Sequence, residues 1–114
     1  MSDTHEDSIE RFIAEYREKC GRRAHAKARV RRSENAKRRV VALAMKAAET
    51  LGHTTAAGQE REAYRSDAYE RWAEEDVTAT LELDLIQGEI EADELRWETW
   101  RTRRADRRAE MNLR

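Results

Sequence analysis

Apolar residues recur along the chain at helical spacing and fall into two long segments. One cluster of helix-breaking residues separates them, at 51–58, and it contains Gly52 and Gly58. Gly52 suits the position just after a helix C-terminus, and Thr54 or Thr55 suits the N-cap of the next helix. The pattern predicts an all-α fold, with one helix over about 7–51, a turn over about 52–58 and a second helix over about 55–111.

The second predicted helix carries two apolar stripes. The first keeps a seven-residue repeat, the pattern of a coiled-coil seam, and we take it as the candidate oligomer seam: Tyr69, Trp72, Leu83, Ile86, Ile90, Trp97 and Trp100. The second stripe lies on another side of the helix and consists of Val77, Leu81, Leu85, Ala92 and Leu95. Because one partner helix cannot cover both faces, we expect one face to pack inside a hairpin and the other against a second subunit.

Charge alternates in blocks along the chain, and the order of the blocks favours an antiparallel hairpin. Residues 19–46 carry eleven basic residues against Glu34 alone, whereas residues 60–98 carry fourteen acidic residues and four arginines. Residues 1–18 are acidic, and residues 99–114 hold six arginines. Folding the chain back near residue 55 places position i beside about position 110 − i, so that each block meets its opposite. We therefore expect a single long helical-hairpin domain over residues 1–114.

Composition narrows the classes of function. The 114 residues are 39% apolar and 41% charged, which allows only a thin core and makes partner subunits expected. Two long helices form grooves rather than the deep pocket that catalysis needs, so we expect no enzyme, no small-molecule substrate and no cofactor. We expect no metal site, since Cys20 and His25 stand five residues apart and do not share a helix face. No apolar stretch approaches the roughly 20 residues of a membrane span.

The basic stretch of the first helix is the first candidate nucleic-acid surface. It resembles the DNA-reading region of a basic leucine zipper, but the leucines that must follow at seven-residue spacing are absent. Binding to phosphate without sequence preference stays open, through Arg29, Arg31, Arg32, Arg38 and Arg39. The alternative, which the matching extent of the two blocks favours, is that the acidic block of the second helix neutralises this face.

The C-terminal stretch is the second candidate, because it mixes tryptophans with arginines as single-strand-binding surfaces do. The arginines in question are Arg101, Arg103, Arg104, Arg107 and Arg108. The interpretation we favour for Trp97 and Trp100 is that they continue the seam. In its last 20–25 residues, including Arg96-Trp97-Glu98-Thr99-Trp100, the chain resembles the tails of small helical bacteriophage proteins. Those proteins accompany single-strand-binding and recombination genes, and some resemble recombination mediators.

The resemblance implies an oligomeric, non-enzymatic accessory of phage-type recombination or replication. Such a protein would bind single-stranded DNA or the protein that coats it. The single cysteine, Cys20, predicts a reducing compartment, which would be the cytoplasm of a bacterial host. The alternative function is a protein-interaction adaptor or scaffold whose charges serve only folding and self-assembly. The two differ in whether the arginines are exposed or sealed against the acidic helix.

Overall fold

The computed structural model describes residues 5–113, and the elements in that range are all helical. They are α1 (His5–Thr50), α2 (Ala56–Arg65) and α3 (Asp67–Leu113). The predicted all-α class is therefore confirmed. None of these helices is both long enough and apolar enough to cross a membrane.

The turn after α1 is built as the sequence predicts. Gly52 has a φ of +107°, a left-handed conformation that glycine adopts without a side-chain clash. The Gly52 N–H donates to Glu49 and the His53 N–H donates to Ala48, which is the Schellman arrangement that closes a helix C-terminus. Thr55 is the N-cap of α2, and its hydroxyl accepts from the Gly58 N–H at 3.0 Å.

The second predicted helix is interrupted at Ser66, contrary to expectation. Ser66 has an extended ψ of 152°, which ends α2, and its hydroxyl then caps α3 by accepting from the Tyr69 N–H at 3.2 Å. The same hydroxyl donates to the Ala63 carbonyl at 2.7 Å, so one side chain serves both helix ends. Arg65 in the last turn of α2 and Asp67 in the first turn of α3 have the charges that those helix ends favour.

Replacing Ser66 with alanine should lower the free energy of unfolding by about 0.5–2 kcal/mol, because α3 loses its N-cap. Urea unfolding followed by circular dichroism measures this change. Ser8→Ala is the control, since Ser8 is exposed in α1, and we expect it to leave stability unchanged. Equal losses in the two variants would mean that the cap contributes nothing.

The chain divides into two compact units, and α1 and α3 contribute to both. Unit 1 combines residues 5–23 with residues 84–113, and unit 2 is Ala24–Leu83. In each unit the α1 segment runs antiparallel to the α3 segment. The contacts that fix the register are Phe12 with Trp97, Tyr16 with Glu94, Lys19 with Asp93 and Arg22 with Glu89 in unit 1, and Arg29 with Glu82 and Ser33 with Asp76 in unit 2. The position numbers of each pair add to 109–112, so within each unit these contacts confirm the predicted register.

The core is thin, as the composition predicts. The buried apolar residues in the described range are Ala26, Ala48, Ala63, Ala79, Ile86 and Ile90. Four of the six are alanines, and Ile90 is the one large side chain that is completely buried. The alanines let the helices approach closely but bury little apolar area each, so the two isoleucines of unit 1 carry much of the hydrophobic stabilisation.

Candidate nucleic-acid interface

The outer side of α1 in unit 2 carries six cations. Ala26, Val30, Ser33 and Ala36 recur at three- and four-residue spacing and are buried or half-buried, so they form the side of α1 that packs inward. At 3.6 residues per turn the cations between them point away from that side. We call these residues the outer basic face: Lys27, Arg31, Arg32, Arg38, Arg39 and Lys46.

The outer basic face lacks acidic partners. All six side chains belong to exposed residues, and none forms an ion pair with any residue from 5 to 113. The α1 segment of unit 2 contains two acidic residues, Glu34 and Glu49. At 1.5 Å per residue, the face extends about 28 Å along the helix. Six exposed cations with Glu34 as the one acidic residue among them give this side of α1 a net positive charge, which is suited to following a phosphate backbone.

The acidic helix neutralises only part of the basic block. Of the five α1 arginines proposed from the sequence, Arg29 is paired, with its Nη1 at 2.7 Å from Glu82 Oε2. Lys37 lies over the Trp72 ring at 5.5 Å. The expectation that α3 covers the whole basic block is therefore wrong for Arg31, Arg32 and Arg38, and equally for Arg39. The rotation of α1 about its axis explains their exposure. Small side chains occupy the inward positions, so these arginines lie on the opposite side of the helix.

The tail arginines are divided between contacts and solvent. Arg101 pairs with Glu98 at 3.2 Å, and the Arg104 guanidinium lies 5.3 Å from the centre of the Trp100 ring. Arg103, Arg107 and Arg108 are exposed and form no ion pair in the described part of the chain. An open cleft of about 1020 Å³ in unit 1 is lined by Arg103, Arg104 and Arg107 among others.

The tryptophans of the tail are occupied by the protein itself. Trp97 stacks on Phe12 of α1 with ring centres 5.8 Å apart, and Trp100 stacks on Trp97 at 5.1 Å. The Arg104 guanidinium also lies over the Trp100 ring. The favoured interpretation of these tryptophans as seam residues agrees with this packing, which leaves little aromatic surface for stacking on nucleobases.

The candidate oligomer seam lies against α1 of the same chain. In unit 2 the Trp72 indole Nε1–H donates to the Ser33 carbonyl at 2.8 Å, and Tyr69 packs against Trp72 with ring centres 5.4 Å apart. Leu83 is half-buried, and in unit 1 Ile86 and Ile90 are buried. The seam is thus used for packing within the chain.

The second stripe is uncovered in each unit. Val77 and Leu81 in unit 2 are 67% and 56% exposed, and Leu85 and Leu95 in unit 1 are 62% and 69% exposed. Ala92 is exposed as well. This agrees with the expectation that a single partner helix cannot cover both faces of α3.

A charged centre replaces one apolar position of the seam in unit 1. Asp93 is 4% exposed, and its carboxylate is 2.9 Å from Lys19 Nζ and 2.7 Å from Arg96 Nη2. The hydrogen bond from Lys19, together with that from Arg96, holds the pKa of Asp93 below its ordinary value, although burial acts in the opposite direction. In α1, one turn before Lys19, partial burial and the Glu94 carboxylate raise the pKa of Tyr16.

Sequence reasoning overlooked Lys27 and Lys46 on the outer basic face, because only arginines were considered. The signal was present: Lys27 precedes Arg31 by four residues, and Lys46 follows Arg39 by seven, both spacings that share a helix side. Residues 5–113 bring together no group of three or more His, Cys, Asp or Glu side chains that could hold a metal ion.

Comparison of the chain with family models, curated proteins and solved structures gave no match.

Proposed function

We propose that the protein is a non-enzymatic accessory that binds DNA through the outer basic face of α1, and the tail resemblance favours single-stranded DNA. The observation that carries the proposal is that Arg31, Arg32, Arg38 and Arg39 are exposed and form no ion pair within the described chain. The tail resemblance supports a place in phage-type recombination or replication, in the cytoplasm of a bacterial host.

Binding would act on the phosphate backbone. Arginine guanidinium groups donate paired hydrogen bonds to phosphate oxygens, and their neutralisation of phosphates releases condensed counterions. Because Trp97 and Trp100 are stacked within unit 1, the bases would contribute little, and the affinity would not depend on sequence. Arg103, Arg107 and Arg108 of the tail offer a second, smaller set of phosphate contacts.

The acidic residues of unit 2 limit DNA binding to the side of the outer basic face. Glu70, Glu74 and Glu75 are exposed on α3, not on α1, and would repel a phosphate backbone placed against them. Since unit 2 contains acids and bases in nearly equal number, its attraction for DNA depends on how the charges are distributed rather than on net charge.

The test is a matched pair of variants that lose the same charge at different places. Changing Arg31, Arg32, Arg38 and Arg39 to glutamine should weaken binding of a labelled single strand by at least about tenfold at low salt. The control changes Arg17, Arg61, Arg65 and Arg71 to glutamine, which are exposed arginines elsewhere, and it should bind within about twofold of the parent. Fluorescence anisotropy measures both, with helical content checked by circular dichroism.

Equal losses in both variants would reduce binding to a net-charge effect and contradict the assignment of the face. A parent chain that binds no strand even at low salt would refute DNA binding and favour the adaptor or scaffold. A duplex bound more tightly than the single strand would refute the preference for single-stranded DNA.

A further inference from the structure

Asn35 lies at the centre of the outer basic face. On the surface of an α-helix, the nearest neighbours of a residue are those three and four positions before and after it, with Cβ atoms about 5–6 Å apart. For Asn35 these four neighbours are all arginines, Arg31, Arg32, Arg38 and Arg39, and all five residues are exposed. No other residue of α1 has cations at all four of these positions.

The four arginines form two pairs, one before Asn35 and one after it. Arg31 and Arg32 lie seven residues before Arg38 and Arg39, which is about 10 Å along the helix axis. Asn35 lies midway between the pairs. A phosphate backbone that runs along α1 and contacts both pairs therefore passes over Asn35.

The Asn35 side chain has no hydrogen-bond partner within the described chain. Its amide has two N–H donors and one carbonyl acceptor. Asparagine is a poorer helix former than alanine, because its side chain competes for the hydrogen bonds of the backbone, and Asn35 is the one asparagine in α1. The amide thus serves no contact within the described chain, and its donors are available to a ligand.

The residues around Asn35 leave it as the single neutral donor between the arginine pairs on the outer side of α1. Ala28 and Ala42, seven residues before and after it on the same line of the helix, have no hydrogen-bonding side chain. Glu34 lies at the edge of the outer basic face and points about 100° away from Asn35 around the helix axis. The carboxylate of Glu34 therefore does not lie on the line that joins the two pairs.

We infer that a bound strand runs along α1 and that the Asn35 amide donates a hydrogen bond to a phosphate oxygen between the two arginine pairs. This inference rests on the proposed function and adds a residue and a direction to it. Asparagine side chains donate to phosphate oxygens in protein–DNA complexes, and such contacts fix the position of the strand without reading its sequence. The arginines neutralise phosphates on either side, and the neutral amide holds the backbone between them.

Fluorescence anisotropy with labelled single strands of thymidine and of deoxyadenosine tests the inference. Asn35→Ala should weaken binding of both strands by about three- to tenfold, the effect of one lost hydrogen bond. The salt dependence should stay as steep as in the parent, because a neutral amide releases no counterions. Asn35→Gln keeps the amide and should retain most of the affinity, whereas Asn35→Asp should bind more weakly than Asn35→Ala, because a carboxylate repels phosphate. Asn112→Ala is the matched control, an exposed asparagine of α3, and should bind as the parent does.

The outcomes separate this inference from the proposed function. If Asn35→Ala binds as the parent does while loss of the four arginines weakens binding, the inference falls and the proposed function stands. If the parent binds no strand, or if loss of the four arginines has no effect, both are refuted. A loss in Asn35→Ala on one of the two strands only would indicate a base contact and overturn the phosphate assignment, and so would a shallower salt dependence in that variant.

Discussion

Ile90→Ala should lower the free energy of unfolding by about 2–5 kcal/mol, the largest loss expected from any single truncation in the chain. Ile90 is the only large side chain with 0% exposure among residues 5–113, and most other buried positions are alanines. A thin core has few other apolar contacts that could compensate for the cavity. Urea unfolding followed by circular dichroism, at one fixed protein concentration, measures the loss.

Ile13→Ala is the matched control, because Ile13 also belongs to unit 1 but is 40% exposed. We expect it to lose less than about 1 kcal/mol, since much of its side chain is already in contact with water. Comparable losses in the two variants, or a loss at Ile90 below that of Ile13, would contradict the placement of the core at Ile90.

Lys19→Met should lower the free energy of unfolding at neutral pH by about 1–3 kcal/mol, because it leaves the buried Asp93 carboxylate with Arg96 as its one remaining charged partner. Since the Lys19 hydrogen bond lowers the pKa of Asp93 below its ordinary value of 3.8, the charged carboxylate stabilises the folded state above that pH. The contribution is lost as the pH falls through the pKa of the folded state. The difference between parent and variant should therefore shrink on going from neutral pH to about pH 3.

Two further variants separate the ion pair from general charge effects. Arg17→Met removes an exposed cation of unit 1 and should leave stability nearly unchanged at both pH values. The double variant Lys19→Met with Asp93→Leu should regain the stability of the parent, because an apolar pair removes the desolvation cost of two charges. A double variant as unstable as Lys19→Met alone would show that packing, not the isolated carboxylate, causes the loss.

The sequence was sufficient to predict α1, the turn after it and the register, but not the division of the second helix into α2 and α3. Gly52 and Thr55 have conformational and capping preferences that act without tertiary context. The register follows from blocks of opposite charge, which the pair of Lys19 with Asp93 and the pair of Arg29 with Glu82 both satisfy.

The break at Ser66 was missed because neither glycine nor proline marks it and the residues on both sides favour a helix. The available signal was Ser66 followed by Asp67, a good N-cap before an acidic first residue. The sequence alone places Asp93 at a seam position, because it follows Ile86 by seven residues. Its partner Lys19 could not be identified, because that depends on the rotation of α1.

Helix rotation also explains why the sequence does not predict which arginines are exposed. Charge blocks establish which segments lie side by side, but they do not establish which residues turn inward. In α1 of unit 2, Ala26 and Ser33 lie on the inward side, so Arg31 and Arg38 are exposed. The exposure of these arginines therefore follows from the structure and not from the sequence.

The salt dependence of DNA binding tests the central claim most directly, because it measures how many phosphates the outer basic face contacts. Anisotropy titrations over a range of salt give the slope of the logarithm of affinity against the logarithm of salt concentration. Changing Arg31, Arg32, Arg38 and Arg39 to glutamine should reduce the steepness of that slope by about 2.8, since each lost phosphate contact on a single strand accounts for about 0.7. An unchanged slope in that variant, or an equal reduction in the Arg17, Arg61, Arg65 and Arg71 control, would contradict DNA binding through this face.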